Sequence, residues 1–364
     1  RENVFDFSLG NPSIDPPKKV DELVIQLEQT MEPAKLHGYT SGPGEKSVRE
    51  AMSENVNRRF GRNSTFQNFY ITTGAAAGLC IILSTLTADP SDEFVAVAPF
   101  FPEYKVFTEA AGAKFVIAEA DEKEFQIQFE ALEKAFTPHT KGIIINTPNN
   151  PSGSVLRPDT VEKLVAFLRN KMKEYGHPIY LISDEPYREL VYDAETRVPF
   201  FPNEYEYSIV CYSFSKSLSI PGERIGYLYV PEDIEDSADI FAAVCGAARA
   251  LGYVCAPAML QRVAAECADL TSDLNQYREN RDLLYNSLVR MGYSCIHPDG
   301  AFYLFVKAPG GNARAFSERA KGENLLLVPS DSFGCKGYLR LAYCVKKEMI
   351  ERSLPAFERL IREY

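Results

Sequence analysis

The stretch YSFSKSLSIPGERIGYLYV, Tyr212–Val230, places a single lysine, Lys216, among serines and apolar residues. It follows SIVCY, Ser208–Tyr212, a short, apolar, β-prone run of the kind found in buried parallel strands. No acidic residue lies within six positions of Lys216 on either side. A lysine at the end of such a strand has two options. Its stem can carry the ammonium back to water, or the charged form is destabilised and the amine becomes a nucleophile or Schiff-base partner. The segment by itself leaves both open.

The flanking chain repeats the strand pattern. From about residue 45 to residue 250, helical periodicity alternates with short apolar runs: EFVAVA, KFVIAEA, KGIIINT, IYLISDE, SIVCYSF and RIGYLYV. This alternation predicts an α/β fold whose large domain has a mostly parallel sheet flanked by helices. LNQYRENRDLLYNSLVRMG, residues 274–292, predicts a long amphipathic helix capped by Gly292. After it, AFYLFVKA, a helix around 313–321, NLLLVPS, GYLRLAYC and a terminal helix predict a smaller α+β domain. The expected division is 35–273 for the large domain, with 1–34 and 274–364 forming a small domain from the two chain ends.

The 364 residues are enough for two domains and a large core. A net charge of −11, from 39 basic and 50 acidic residues, argues against nucleic acid or an anionic membrane as the main partner. No apolar run approaches the length of a membrane span, and the opening residues do not read as a signal peptide. The eight cysteines are scattered, with no CxxC and no metal-like spacing. They read as buried thiols of a cytoplasmic protein, and no metal is expected.

In open α/β sheets, function gathers beyond the carboxyl ends of the strands. YITTGAAAGL runs a strand into Gly74, Ala75 and Ala76, small residues opening a helix. They form either a tight turn or a helix N-terminus bare enough for an anion. SGPGEKS mimics a phosphate loop, but Glu45 separates Gly44 from Lys46, and the nucleotide-binding reading is rejected. INTPNNPSG ends another strand in a turn from which Asn150 can offer a two-sided amide. YLISDEPYREL ends a third with Asp184, followed by Tyr187. A carboxylate there needs a salt bridge or a bound cationic ring. Lys216 and, eight residues on, Arg224 complete the set.

In this order and placement, the motifs NTPNNPSG, SDEPYREL and SFSKSLSIPGERIGY resemble those of the class I/II aminotransferases dependent on pyridoxal 5′-phosphate. These are fold type I enzymes that include aspartate aminotransferase. The resemblance runs from SLGNPS to GYLRLAYC. It implies that Lys216 forms the Schiff base with the cofactor and later shuttles the substrate α-proton. Asp184 would face the pyridine nitrogen, and Tyr187 and Asn150 the ring oxygen. The phosphate would be held at Gly74, Ala75 and Ala76, by Ser213 and Ser215, and by the fork of Arg224. Phe101 would stack on the ring, with core packing as its alternative. Arg340 would clamp the substrate α-carboxylate, with Gly10 closing over it. Tyr39 would reach the cofactor phosphate of a second subunit in a homodimer with shared sites.

The implied activity is a ping-pong transfer of an amino group between an amino acid and a 2-oxo acid. A carbon–sulfur β-lyase on the same scaffold would reuse every residue named, and a non-catalytic amino-acid sensor is a remoter alternative. One departure stands out. Many prokaryotic aspartate-specific relatives carry a lysine near TTGAAAGL that reads a side-chain carboxylate. Here that position is Ala76, which puts dicarboxylate substrates in doubt.

Overall fold

The computed structural model describes residues 4–119 and 121–364. Ala120, the last residue of the KFVIAEA run, falls outside them. In chain order the strands are β1 (Phe5–Asp6), β2 (Phe69–Thr72), β3 (Glu93–Val97), β4 (Lys114–Ala118), β5 (Thr140–Asn146) and β6 (Tyr180–Glu185). They continue with β7 (Ser208–Ser213), β8 (Gly226–Tyr229), β9 (Tyr303–Lys307), β10 (Leu325–Leu326), β11 (Val328–Pro329) and β12 (Tyr338–Ala342). Each of the six apolar runs that predicted a strand in the large domain contributes one, β3 to β8.

A seven-stranded sheet has the order β2-β8-β7-β6-β5-β3-β4. The pairs from β4 to β7 are parallel, and β8 is antiparallel to both of its neighbours. Alternate residues of β7 feed two different cores. Ile209 and Cys211 join one cluster with Leu79, Ile82, Leu164 and Leu168, from the helices Ala75–Leu86 and Pro158–Tyr175. Val210 and Tyr212 join another, with Val48 and Met52 from the helix Lys46–Phe60. A strand covered on both faces must be apolar throughout, which is why β7 is buried at every residue. The helix Lys18–Thr30 buries Val20 and Leu23 in that second cluster, among residues of the large sheet's surroundings.

The chain ends build two smaller sheets. β9, β12 and β11 form an antiparallel three-stranded sheet, and β1 lies parallel to β10, with Phe5 opposite Leu325. Phe7 and Ile14 pack with Leu284, Leu288, Phe316 and Phe357, so the first residues and the last helices share one core. The helix Leu274–Met291 ends at Gly292 in the left-handed region, φ +100°, the cap expected of it.

This topology decides where a site can lie. Because β8 reverses direction, β2 runs the same way as β5, β6 and β7, and the carboxyl ends of all four share one edge. The start of β8, just after Arg224, lies at that edge as well.

Candidate active site

One cleft at this edge is lined by Ala75, Ala76, Phe101, Asn150, Asp184 and Tyr187, and on its other side by Ser213, Ser215, Lys216 and Arg224. Sequence positions spanning some 150 residues are thus brought together at the carboxyl ends of β2, β3, β5, β6 and β7.

Asp184 is the penultimate residue of β6 and is buried. Its Oδ2 accepts a 2.5 Å hydrogen bond from the Tyr104 hydroxyl, and its buried Oδ1 has no hydrogen-bond partner among the described residues. Burial pushes the carboxyl up to about 7, against the Tyr104 bond that pulls it down. Asn146, at the end of β5, steadies both neighbours. Its Nδ2 donates to the Asp184 carbonyl at 2.8 Å, and its Oδ1 accepts from the Asn150 backbone N–H at 2.7 Å.

Lys216 sits in the short helical turn Phe214–Ser217 that follows β7. Its Nζ donates to the Gly10 carbonyl at 2.5 Å and lies 5.4 Å from the centre of the Phe302 ring. Burial brings the ammonium down to about 8. Arg224 and Arg340 push the same way, and Cys344 opposes them. Of the two options open to this lysine, the chain takes the destabilised charge.

The residues expected to bind an anion converge beside it. Ser213 Oγ accepts from the Ser215 N–H at 3.2 Å and contacts Ser215 Oγ at 2.9 Å. Arg224 Nη1 donates to Ser215 Oγ at 3.2 Å and to the Pro221 carbonyl at 2.9 Å. The helix Ala75–Leu86 opens at Gly74, whose φ is +86°. A Cβ at Gly74 would stand 2.6 Å from Arg224 Nη2, so only glycine lets the guanidinium lie across this N-terminus. Bare N–H groups, two hydroxyls and one guanidinium are the kinds of donor a dianion would require.

Arg340, in β12, points its fork to the cleft mouth. Nη1 donates to Asn150 Oδ1 at 3.2 Å, Nη2 donates to the Ser8 carbonyl at 2.7 Å, and buried Nε has no hydrogen-bond partner among the described residues. Its guanidinium lies 4.8 Å from the Tyr303 ring centre and 5.1 Å from that of Phe333. Tyr187 places its hydroxyl 2.9 Å from that of Tyr303. Phe101 lines the cleft and meets Tyr104 edge-on, with ring centres 5.7 Å apart.

Gly10 reaches the site through its carbonyl. Tyr39 does not join it in this chain: the side chain is 92 % exposed, and the neighbouring Thr40 is tied to Gln261. Tyr104, Asn146 and Tyr303 were missed by sequence reasoning. Tyr104 stands one helical turn after Phe101 in PFFPEY, and Asn146 sits at a strand end ahead of TPNN, so both carried a positional signal. Tyr303 carried none beyond its place in AFYLFVKA.

The donor set suits a ligand with a phosphate, a protonated ring nitrogen and an aldehyde. The unpartnered Asp184 Oδ1 meets the nitrogen's requirement, the cradle at Arg224 the phosphate's and Lys216 the aldehyde's.

The aminotransferase class I and II family matches residues 2–357 of the chain. The chain is similar to the aromatic-amino-acid aminotransferase 2 of Thermococcus litoralis, 28 % identical over all of this chain and 92 % of that protein. It is likewise similar to the aspartate/prephenate aminotransferase of Thermus thermophilus, 28 % identical over 97 % of this chain and 89 % of that protein. Among solved structures, an amino transferase from Eubacterium rectale superposes with a TM-score of 0.97 at 52 % identity, covering 100 % of this chain and 91 % of that one. Aspartate aminotransferase from Thermotoga maritima superposes at 0.88 with 27 % identity, covering 99 % and 92 %. The chain belongs to the class I and II aminotransferases, a family that uses pyridoxal phosphate, and is an aminotransferase acting on amino-acid and oxo-acid substrates.

Proposed function

We propose that this aminotransferase works with pyridoxal 5′-phosphate held in the cleft of Lys216 and exchanges amino groups in two successive half-reactions. One observation carries the reading: the buried, unpartnered Oδ1 of Asp184 shares a cleft with an amine whose charge is destabilised. When bound, the cofactor supplies an aldehyde that captures an amine and a ring that accepts the electron pair left as the substrate α-C–H bond breaks.

The residues divide the remaining work. Arg224, Ser213, Ser215 and the N–H groups of Ala75 and Ala76 anchor the phosphate. Asp184 Oδ1 holds a proton on the ring nitrogen, and the Tyr104 hydroxyl favours the ionised carboxylate against the burial that raises its pKa. Tyr187 and Asn150 donate to the ring oxygen. Phe101 covers one ring face and excludes water from it. Arg340 grips the substrate α-carboxylate with Nε and an Nη, beside the Gly10 backbone, which orients the α-hydrogen. Lys216 Nζ would be the base that takes the substrate α-proton and carries it within the cleft.

A single carboxylate clamp supports a ping-pong order, since two acids cannot occupy Arg340 at once. The cations lining the described cleft are Lys216 and Arg224, with Arg340 at its mouth, and each already has a task. Among the described residues of one chain, no fourth lines the cleft where Ala76 stands, and this supports donors with uncharged side chains unless the second subunit brings a cation there. The named relatives act on aspartate in some cases and on aromatic amino acids in others. The working unit is a homodimer in which Tyr39 completes the neighbour's phosphate site. The small domain of the two chain ends closes over the substrate, while the helix Lys18–Thr30 stays with the large domain into which it packs.

The test is a screen of amino acids against pyruvate and 2-oxoglutarate, with both products measured. Equal amounts of new amino acid and new oxo acid are expected, with uncharged donors at least about tenfold ahead of aspartate in kcat/KM. Ammonia release without an acceptor would overturn the two-stage transfer. Preference for aspartate would overturn the substrate class alone.

A further inference from the structure

Tyr303 occupies a singular position. It opens β9 and pairs with Ala342 of β12, while Arg340 pairs with Phe305. Tyr303 and Arg340 therefore lie diagonally on one face of the small sheet, and the ring meets the guanidinium at 4.8 Å. Its hydroxyl reaches across to the Tyr187 hydroxyl at 2.9 Å. It also fills the space beside Gly10, where any side chain would collide with it. One residue thus touches the carboxylate clamp, the segment closing over it, and the phenol assigned to the cofactor's ring oxygen.

The surrounding backbone is built to hold it there. Ala301 adopts φ +56°, a left-handed conformation unusual for alanine. Its carbonyl accepts from the hydroxyls of both Tyr343, at 3.1 Å, and Tyr192. Its N–H donates to the Leu190 carbonyl at 2.8 Å, and the Leu190 N–H donates back to the Tyr187 carbonyl at 2.9 Å. The turn after Tyr187 and the turn leading into Tyr303 are joined by these backbone hydrogen bonds.

The hydrogen count then assigns a direction. Burial raises both phenols above their ordinary range, so each keeps its one proton at neutral pH. Among the described residues, each hydroxyl has the other as its only hydrogen-bond partner. Were Tyr187 to donate to Tyr303, it would have no proton left for the cleft, and the Tyr303 proton would have no acceptor. With an anionic ring oxygen in the cleft, only the chain Tyr303 to Tyr187 to ring oxygen uses both protons.

We infer that Tyr303 is a positioning residue that donates its hydroxyl hydrogen to Tyr187, frees the Tyr187 proton for the cofactor's ring oxygen, and holds Arg340 on its ring face. The inference rests on the reading of Tyr187 proposed above. A donor on the ring oxygen withdraws charge from it and weakens its hold on the proton shared with the Lys216 nitrogen. Losing Tyr303's support therefore raises the pH at which that proton leaves.

The experiment is a pH titration of the visible spectrum of the cofactor-loaded protein. Tyr187→Phe should move the midpoint up. Tyr303→Phe should move it the same way by roughly half to one pH unit, and less than Tyr187→Phe does. The double variant should coincide with Tyr187→Phe, because Tyr303 acts through it. Tyr303→Phe keeps the ring, so the amino-acid KM should stay within about threefold, whereas Tyr303→Leu should raise it about tenfold. A normal midpoint in Tyr303→Phe, beside a shifted one in Tyr187→Phe, overturns the role of Tyr303 alone. Additive shifts in the double variant overturn it as well. No shift in Tyr187→Phe overturns the underlying reading of Tyr187. Should Tyr303→Phe fail to load cofactor, 3-fluorotyrosine at position 303 provides a stronger donor of nearly the same shape. It should move the midpoint down, and an unmoved midpoint overturns the inference.

Discussion

The Tyr104 phenol and the Asp184 carboxylate, 80 residues apart in the chain, are joined by a 2.5 Å hydrogen bond that satisfies one carboxylate oxygen and leaves the other without a partner among the described residues. The bond opposes the desolvation that drives Asp184 towards its neutral form. Tyr104→Phe keeps the ring against Phe101 and removes only the donor. A hydrogen bond to a charged group contributes about 1.5–3 kcal/mol, so cofactor affinity should fall roughly 10- to 100-fold. Equilibrium dialysis of the stripped protein against pyridoxal phosphate measures this, and unchanged affinity would contradict the role given to Tyr104.

Asp184 also makes stability depend on pH. Its folded-state value, about 7, is raised above the ordinary 3.8, so the folded chain holds the proton more tightly than the unfolded one. The resulting stabilisation is complete below about pH 4 and is lost as pH rises towards 7. Cofactor-stripped Asp184→Asn lacks this titration. Its stability relative to wild type should rise with pH by up to about 1.4 kcal/mol per unit across that window. Loading the cofactor should reverse the ranking above pH 7, because a cationic ring nitrogen favours the carboxylate. Urea unfolding at several pH values, with and without cofactor, reads both effects, and parallel curves for the two proteins would refute the raised value.

Lys216 carries a prediction of its own. In stripped protein its amine, brought down to about 8, should react with pyridoxal phosphate at a rate that climbs through that pH. Borohydride should then fix the cofactor to Lys216, and peptide mapping that finds it on another lysine would sink the assignment. Lys216→Ala should still bind cofactor while losing turnover by several orders of magnitude.

Arg340→Lys preserves charge but not the fork. Two of its nitrogens are engaged by Ser8 and Asn150, and the third is buried and unpartnered. A lysine cannot present two parallel donors to a carboxylate. KM for the amino acid should rise about 10- to 100-fold, with cofactor affinity nearly unchanged. Steady-state kinetics beside a cofactor titration separates the two, and an unaltered KM would remove Arg340 from the substrate site.

Tyr39 tests assembly. Tyr39 is 92 % exposed in one chain and so is accessible to a second. Hybrids of Lys216→Ala and Tyr39→Phe chains should contain one site with both residues intact and regain activity above either parent. Tyr39→Phe alone should weaken cofactor binding, by about 1–3 kcal/mol for one phenol–phosphate hydrogen bond. A fully active monomer would exclude sharing.

The elements of the fold were legible wherever local chemistry sufficed. The apolar runs before Asn146, Asp184 and Ser213 became buried strands because a sheet covered on both faces admits little else. Gly292 ended its helix because only glycine readily takes φ +100°. The residues named from motifs, Lys216, Asp184, Asn150 and Arg224, do share one cleft, since each stands beside a strand terminus and the strand order brings those termini to one edge.

The pairings within the cleft were decided by tertiary structure alone. Tyr104 meets Asp184, Tyr187 meets Tyr303 across 116 residues, and Lys216 meets the Gly10 carbonyl across 206. Periodicity reports which face of an element is buried, but not which residue from another element arrives there. That depends on sheet register, on a left-handed Ala301 that aims Tyr303, and on a glycine at position 10 that leaves room for its hydroxyl. The sequence by itself determined which chemical groups stand at the strand ends. Packing between elements distant in the chain determined which of those groups are satisfied by the protein, and which, like Asp184 Oδ1 and Arg340 Nε, find no hydrogen-bond partner among the described residues.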